Sequence, residues 1–361
     1  MDSAKTRILV VDDAVVIRMR LRSLLGADAE LEVIGTAKNG RVALECMEED
    51  EPDVVLLDLE MPVMDGLETL EHIKRRFPDV SVILFSSPSA RGASATIEAL
   101  ALGAVDFVAK PTSLDGREGD EFRDQLVGAI KLIHRRASPP SAAVERAPSL
   151  IRQPKAVAPI TPIEIVAIGA STGGPNALAE LVPHFGADFP VPIVIVQHMP
   201  PVFTGHLARR LSDLSGVTFA EGEDDIVLEP GTGWVAPGGM HMVLQDGVAL
   251  PRLITNTDEK ENSCRPAVDP MMRSVAREFG DRCLAVILTG MGSDGMLGCR
   301  EVKSAGGRII AQDEESSVVW GMPGFVVRDG LADTVLPLCD IGPTITRWVE
   351  SSRRGRSQTR T

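Results

Sequence analysis

Two groups of reactive side chains stand out in the sequence, and the first of them is acidic. Asp12 and Asp13 follow the apolar run ILVV, and Asp58 follows the apolar run VVLL. Ser86 and Lys110 follow two further runs of the same kind. One aspartate at such a place is usually a helix cap, but several of them would repel one another unless a divalent cation such as Mg²⁺ joined them. A lysine at the same edge, Lys110, could pair with Asp58 or with an anion placed on it.

The second group surrounds a glycine-rich turn, GASTGG, at residues 169–174. A P-loop would need a lysine where Pro175 stands, and a dinucleotide fingerprint would need a different glycine spacing. The same residues do fit G-x-S-x-G, which presents Ser171 on a strand-to-helix turn. A serine that only caps a helix would look the same, so Ser171 needs partners to count as a nucleophile.

Possible partners of Ser171 follow two other apolar runs. His198 comes after PIVIV, and Asp294 lies in TGMGSDG, directly after CLAVIL. The three residues predict a Ser-His-Asp hydrolytic site, in a chain order that differs from the serine, acid, histidine order of typical α/β-hydrolases. Other histidines in this half remain rivals as the base: His184, His206 and His241. The motif WGMPGF, at residues 320–325, is typical of a buried aromatic side chain beside a glycine-rich turn.

The elements that must position these groups form two different α/β patterns. Residues 1–133 alternate β-branched runs with helical periodicity, which predicts a doubly wound parallel sheet. Residues 134–162 are dense in Pro, Ala and Ser and are predicted to be a linker. Residues 163–350 predict a second parallel-sheet domain, and residues 351–361 predict a disordered basic tail. Since the carboxyl ends of parallel strands share one edge, each reactive group is expected to converge there.

Composition excludes several classes of partner. The net charge of −14 and the pI of about 5.0 argue against duplex DNA and anionic membrane surfaces. The cysteines are widely spaced, with no C-x-x-C pair, which predicts a reduced protein without disulfides or a zinc cluster. No apolar run is long enough for a signal peptide or a membrane span. The sequence therefore predicts a soluble, cytoplasmic protein that binds no nucleic acid and does not insert into membranes.

Residues 5–133 resemble the receiver domain of two-component response regulators. The resemblance rests on the Asp12–Asp13 pair, on the run LDLEMPVMDG that contains Asp58, and on Lys110 before Pro111. It implies that Asp58 accepts a phosphoryl group from a sensor histidine kinase and that Mg²⁺ is the cofactor. It also implies the remaining roles: Asp13, Asp58 and the Glu60 carbonyl bind Mg²⁺ with Asp12 in support, Ser86 and Lys110 contact the phosphoryl group, and Phe107 occupies the aromatic switch position.

Residues 163–350 are similar to the catalytic domain of the CheB family, the chemotaxis protein-glutamate methylesterases. The motifs that carry the similarity are GASTGGP, QHMP and TGMGSDG. The resemblance implies that Ser171 is the nucleophile, that His198 is the general base and then acid, and that Asp294 orients His198. It implies that the Met291 backbone N–H contributes to an oxyanion hole. The implied substrates are γ-glutamyl methyl esters of methyl-accepting chemoreceptors, with glutamine deamidation by the same acyl chemistry and no cofactor for the esterase.

A receiver placed before an esterase suggests regulation. We hypothesise that the unphosphorylated receiver covers the edge that carries Ser171, and that phosphorylation of Asp58 releases it. Two other classes of function stay open at this point. The second domain could only bind a partner, or it could be a serine hydrolase acting on a target outside chemotaxis.

Overall fold

The computed structural model describes residues 5–111, 113, 116–137, 161–245, 247 and 250–358. The chain divides into two compact units, Met1–Pro139 and Pro140–Thr361, and each is described by itself below. Most of the predicted linker, residues 138–160, lies outside the described residues. Within the described part of the chain, none of the helices combines the length and apolar character that a membrane crossing requires.

The first unit is a five-stranded parallel sheet with the strand order β2-β1-β3-β4-β5. Its strands coincide with the predicted runs, because most of their residues are β-branched or leucine, and all of them except the half-buried β2 are almost wholly buried on both faces. The strand order reverses between β1 and β3, which is where open α/β sheets bind ligands. The strands are β1 (Thr6–Val11), β2 (Leu31–Ala37), β3 (Val54–Asp58), β4 (Ser81–Ser86) and β5 (Asp106–Ala109).

Helices connect these strands, as the alternating pattern predicts. Three of them begin at a side chain that accepts a backbone N–H of the first turn, namely Asn39, Asp65 and Ser89. The helices are α1 (Val15–Gly26), α2 (Gly40–Glu49), α3 (Gly66–Arg76), α4 (Ala90–Ala101) and α5 (Gly116–Ala137). Residues 134–137, which the sequence assigned to the linker, continue α5, since no proline interrupts the helix before Pro139.

The second unit is built on a seven-stranded parallel sheet with the order β15-β14-β13-β6-β7-β10-β8. Five of its strands match predicted runs, and the two at the edges, β8 and β15, do not. The strands are β6 (Ile165–Ala170), β7 (Ile193–Gln197), β8 (Thr218–Glu221), β10 (Thr232–Val235), β13 (Cys283–Ile287), β14 (Arg308–Gln312) and β15 (Thr334–Leu336). A small antiparallel sheet, which the sequence did not predict, joins β9 (Ile226–Val227), β11 (His241–Leu244) and β12 (Arg252–Asn256).

Within the described residues of the second unit, six α-helices pack around these sheets. They are α6 (Gly174–Leu181), α7 (Phe203–Leu214), α8 (Val268–Phe279), α9 (Met296–Ser304), α10 (Met322–Arg328) and α11 (Leu338–Gln358). The prediction of a disordered tail from residue 351 is wrong for residues 351–358, which belong to α11. Two contacts hold this end of the helix to the domain. The Ser352 hydroxyl accepts the Ile163 backbone N–H at 3.1 Å, and Arg353 donates to the Pro190 carbonyl at 2.7 Å.

Candidate functional site

In the first unit, three carboxylates meet at the carboxyl ends of β1 and β3. Asp12 and Asp58 are buried, whereas Asp13 is exposed. One carboxylate oxygen from each lies within 4.8 Å of the others. An all-oxygen donor set of this kind suits a hard cation such as Mg²⁺. The structure thus brings together the three side chains that the sequence predicted to share a metal.

Lys110 supplies the positive charge of this acidic cluster. Its ammonium group lies 2.9 Å from Asp12 Oδ2 and 2.8 Å from Asp58 Oδ2. Burial raises the pKa of Asp58 to about 6, although Lys110 opposes the shift. Burial would lower the pKa of Lys110, but the two carboxylates outweigh it and raise that pKa. The lysine therefore remains protonated and partly neutralises two buried acids.

The other predicted receiver residues differ in their hydrogen bonds and in how far their side chains are buried. The Glu60 backbone N–H donates to Asp58 Oδ1 at 3.4 Å, while the Glu60 side chain is exposed. The Ser86 hydroxyl is buried and donates to the Gly92 carbonyl at 3.2 Å. The Thr96 hydroxyl donates to Ser86 Oγ at 2.7 Å. The Ser86 hydroxyl therefore already has two hydrogen-bond partners, both of them in α4. Phe107 is also buried, and the switch roles of Ser86 and Phe107 stay predictions.

In the second unit, Ser171 stands in the turn between β6 and α6. Gly173, in the left-handed conformation with φ 74°, begins the helix directly after it. The Ser171 backbone N–H donates to the Thr289 carbonyl at 3.0 Å. A methyl group on Gly290 would lie only 2.8 Å from Ser171 Cβ. The serine turn and the turn after β13 are therefore in direct contact.

His198 follows β7, the neighbour of β6, and both of its ring nitrogens have partners. Nε2 lies 2.7 Å from Asp294 Oδ2, and Nδ1 lies 3.5 Å from Cys264 Sγ. The His198 backbone N–H donates to the Ala170 carbonyl at 3.1 Å, which fixes the residue beside the serine turn. No hydrogen bond joins Ser171 to His198 among the described residues. The structure thus brings His198 and Asp294 together and holds Ser171 on the adjoining turn.

Asp294 is buried and accepts hydrogen bonds on both carboxylate oxygens. Burial would raise the pKa of Asp294, but the hydrogen bonds from His198 and from the first backbone N–H groups of α8 outweigh it and lower that pKa. A helix N-terminus favours an anion in this position. Its donors are His198 Nε2 at 2.7 Å, Val268 N at 2.6 Å, Asp269 N at 3.0 Å, Gly295 N at 3.0 Å and Asn262 Nδ2 at 2.9 Å.

The pKa of His198 reflects opposing influences. Burial lowers it, whereas the hydrogen bonds with Asp294 and Cys264 raise it, and the balance lies at about 10. An imidazolium cannot accept a proton, so His198 acts as a base only after it has lost its own. The resting state therefore favours the protonated histidine.

Sequence reasoning missed three residues of this site, all in or next to the loop before α8. Asn262 donates to Asp294 Oδ1 and, at 3.0 Å, to Asp269 Oδ2, and Cys264 contacts His198. Asp269 accepts the Gly298 backbone N–H at 2.6 Å, and burial raises its pKa. The only signal in the sequence was the polar run NSC shortly before an amphipathic helix, which matches no motif of known spacing.

The rival histidines occupy other places. His241 is buried, with Nε2 at 3.0 Å from the Glu259 carbonyl and Nδ1 accepting the Ala267 N–H at 3.2 Å. His184 lies in a short 3₁₀ helix after α6, and His206 lies in α7. In the described part of the chain, no hydrogen bond joins any of the three to Ser171 or Asp294. His198 is therefore the histidine that the geometry favours.

The turn after β13 also carries Met291, the predicted oxyanion residue. Its side chain is exposed, and the described residues supply no hydrogen-bond partner for its backbone N–H. The motif WGMPGF runs beside this turn, since Trp320 forms a β-bridge with Gly290. Trp320 is half-buried, and its indole N–H donates to the Gln312 carbonyl at 3.1 Å.

Comparisons with known proteins agree with this arrangement. The receiver domain of response regulators matches residues 8–116, and the CheB methylesterase family matches residues 166–345. A protein-glutamate methylesterase/protein-glutamine glutaminase of Trichodesmium erythraeum is 44% identical over 349 residues, which cover 96% of this chain and 99% of the relative. A protein of the same name from Pyrococcus horikoshii is 42% identical, covering 97% of this chain and 95% of the relative.

A solved structure matches the second unit. The CheB methylesterase catalytic domain of Thermotoga maritima is 43% identical, with a TM-score of 0.50. The match covers 51% of this chain and 98% of that domain. With relatives of more than 40% identity along nearly its whole length, this chain belongs to the CheB family, whose members join a receiver domain to a methylesterase domain.

Proposed function

We propose that this chain hydrolyses γ-glutamyl methyl esters on methyl-accepting chemoreceptors in the cytoplasm, releasing methanol and restoring glutamate. The same acyl chemistry deamidates glutamine at such positions. The observation that supports this most directly is the His198–Asp294 pair beside the turn that carries Ser171. A strand-end serine, an imidazole and a buried carboxylate are the parts that an acyl transfer through a serine ester needs.

The reaction begins with the attack of Ser171 Oγ on the ester carbonyl. Because Asp294 holds Nε2 of His198, Nδ1 is the ring nitrogen left to take the serine proton, and Cys264 must give up its contact there. His198 then returns the proton to the departing methanol oxygen. A water molecule, activated by the same imidazole, attacks the acyl-serine and releases the glutamate side chain.

Backbone N–H groups are proposed to stabilise the oxyanion in both steps. In strand-to-helix elbows the N–H after the nucleophile serves this purpose, which here is the N–H of Thr172. The Met291 N–H, on the turn that contacts Ser171, is the second proposed donor. No hydrogen bond within the described residues uses either group, so both are available to a substrate oxygen.

The first unit is proposed to control this activity through phosphorylation by a sensor histidine kinase. Asp58 attacks the phosphoryl donor, and Lys110 neutralises the charge that develops. The three clustered carboxylates fit Mg²⁺, with Asp13, Asp58 and the Glu60 carbonyl as ligands and Asp12 in support. When bound, Mg²⁺ would supply positive charge to the transferring phosphoryl group.

Phosphorylation is proposed to raise the esterase rate. The transferred group adds about −1.5 to −2 charges, which can shift a two-state packing of Ser86 and Phe107. Both side chains are buried in the described, unphosphorylated state, so a change in their packing would be detectable. We propose that the unphosphorylated receiver restrains access to Ser171.

Methanol release from methylated chemoreceptors tests the proposed function. The full chain should release methanol, and Ser171→Ala should lose about 10⁴-fold or more of the rate. Ser351→Ala is the control, because Ser351 is exposed in α11 and bonds only to the Trp348 carbonyl. Equal rates for Ser171→Ala and the parent would refute the role of Ser171. Labelling of Ser171 by an acylating probe without methanol release would indicate a hydrolase with another target.

A further inference from the structure

Residues 318–322, called here the 318–322 segment, run along the turn that carries Met291. Both the backbone N–H and the carbonyl of Gly290 form hydrogen bonds with this segment. Its N–H donates to the Val319 carbonyl at 2.9 Å, and its carbonyl accepts the N–H groups of Gly321 at 3.0 Å and Met322 at 2.8 Å. The backbone immediately before Met291 therefore has its position set by the 318–322 segment.

The same segment reaches the serine turn. The Val319 backbone N–H donates to the Thr289 hydroxyl at 2.9 Å, and that hydroxyl lies 2.9 Å from the Thr172 carbonyl. A methyl group on Gly173 would lie 2.6 Å from Val318 Cβ, so the segment packs directly against the turn. One short stretch of chain thus contacts the turn with the nucleophile and the turn with the proposed oxyanion donor.

Gly321 lies very close to the backbone of the Met291 turn. A methyl group there would lie 2.6 Å from the Gly290 carbonyl oxygen, 3.0 Å from Gly292 N and 3.1 Å from Gly292 O. These are backbone atoms on either side of Met291, and they cannot rotate away as a side chain can. Any residue other than glycine at position 321 must change the distance between the 318–322 segment and the Met291 turn.

We infer that the 318–322 segment sets the distance between the Ser171 hydroxyl and the Met291 N–H, and that Gly321 is a positioning residue for the hydrolysis. This inference rests on the proposed function. Oxyanion donors act only when they already point at the place where charge develops, and loss of one donor costs about 10²- to 10³-fold in rate. Displacing a donor without removing it should cost less. The motif WGMPGF is therefore more than a buried aromatic beside a turn.

The test compares Gly321→Ala with Gly324→Ala in the full chain. The atoms nearest to a methyl group on Gly324 would be side-chain atoms, those of Trp320 at 3.0 Å and Arg328 at 3.2 Å. For Gly321→Ala we expect kcat per titratable Ser171 to fall about 10- to 10²-fold, with KM changed by less than about twofold. Binding of phenylboronic acid, whose serine adduct carries a negatively charged oxygen, should weaken in the same proportion. Gly324→Ala should keep most of the parent rate.

A purely structural role for Gly321 would give a different result. It would lower the fraction of titratable Ser171 and the melting temperature, and leave kcat per active site unchanged, which would overturn the inference. Equal losses in the two glycine variants would overturn it as well. If Gly321→Ala does not fold, Thr289→Val carries the test, because it removes the hydroxyl link at nearly constant volume.

Thr289→Val should lower kcat per active site about tenfold, and Thr289→Ser, which keeps the hydroxyl, should retain more of the rate. Equal rates for these two variants would contradict the inference. Failure of the parent protein to release methanol would instead refute the proposed function, so the two ideas fail separately.

Discussion

The two reactive regions hold their buried aspartates in opposite ways. Asp58, in the receiver, faces the Lys110 ammonium and has one long backbone hydrogen bond, from Glu60 at 3.4 Å. Asp294, in the esterase domain, accepts the first N–H groups of α8 together with the His198 imidazole. Burial acts to raise the pKa of both carboxyls. It prevails at Asp58, whose pKa is raised to about 6 although Lys110 opposes the shift, whereas at Asp294 the hydrogen bonds from His198 and the α8 N–H groups outweigh it and lower the pKa.

The difference follows from what each carboxylate has to do. Asp58 is proposed to react, so its oxygens must keep lone pairs free for a cation and a phosphorus atom. Asp294 is proposed only to orient His198, so saturating its lone pairs keeps it ionised and immobile. The proposed nucleophile of the esterase, Ser171, likewise has a hydroxyl without a hydrogen bond among the described residues.

Of the substitutions that separate the two regions, Asp294→Asn should have the largest effect, and it should affect the esterase activity without affecting phosphorylation of the receiver. The amide cannot accept all the N–H groups that surround Asp294, and it favours the wrong tautomer of His198. We expect kcat for methanol release to fall about 10³- to 10⁴-fold. Phosphorylation of Asp58 by a small-molecule phosphodonor should stay at the parent level. A loss of both activities in a folded variant would contradict the assignment of two separate sites.

Lys110→Ala should lower phosphorylation of the receiver without changing the esterase activity. Without the ammonium group, two buried carboxylates lose their shared cation, and we expect the phosphorylation rate of Asp58 to fall about 10- to 10²-fold. Lys131→Ala is the control, because Lys131 pairs with Asp28 at 2.8 Å and Glu30 at 2.7 Å away from the cluster. The esterase rate of the unphosphorylated chain is measured in parallel and should not change. Equal phosphorylation rates for the two lysine variants would refute the role of Lys110.

Asn262→Gly tests whether saturation of Asp294 matters. Glycine tolerates the left-handed backbone of Asn262, with φ 51°, so the substitution removes little besides the amide. Loss of the hydrogen bonds to two buried carboxylates, Asp294 and Asp269, should lower kcat about tenfold. Ser263→Gly is the matched control, since Ser263 is exposed and shares the left-handed conformation, with φ 63°. If both glycine variants lose the same activity, loop flexibility rather than the amide is responsible.

The pH profile should show the smallest effect. Because the pKa of His198 is raised and only the neutral imidazole can act as a base, kcat/KM should rise with pH from neutrality into the alkaline range. Cys264→Ala removes one of the partners that raise this pKa, so the acid limb should move to lower pH. We expect the rate at pH 7, as a share of the plateau, to increase about two- to threefold.

Cys339→Ala, which changes an exposed cysteine in α11, is the control for that shift. A plateau that already begins below pH 7 would contradict a protonated resting histidine. A shift of the acid limb to higher pH in Cys264→Ala would contradict the proposed influence of the thiol.

Much of the fold could be predicted because its strands are long, apolar and buried on both faces. All five strands of the first sheet and five of the second lie where the β-branched runs predicted them. The edge strands of the second sheet, β8 and β15, were missed because they are short and half-exposed, as Thr334–Leu336 shows. The strands of the antiparallel sheet were missed for the same reason, since β9 has only two residues. The helix at residues 351–358 was missed because its basic composition is typical of a disordered tail. Nothing in that composition indicates the contacts that Ser352 and Arg353 make with the domain.

In the candidate sites, only the residues that lie at or shortly after a strand end could be predicted. Ser171, His198 and Asp294 each follow a strand, or the turn after one, and parallel sheets place such residues along one edge. Asn262 and Cys264 lie in a loop that precedes a helix, and no period in the sequence relates them to His198. The 318–322 segment carried a recognisable motif, but its hydrogen bonds with Gly290 are between backbone atoms, which side-chain patterns do not encode.

The sequence by itself therefore determined the two parallel sheets and the chemical types of the residues along their functional edges. Hydrophobic periodicity and the geometry of parallel strands are local rules, and they hold whatever the rest of the chain does. Only the tertiary structure decided how those residues are supported. The N-terminus of α8 lies 26 residues before Asp294 in the chain and yet donates to it, and the 318–322 segment fixes Gly290 through backbone hydrogen bonds. Such contacts depend on where irregular segments meet after the sheets have formed, because no side-chain period specifies them.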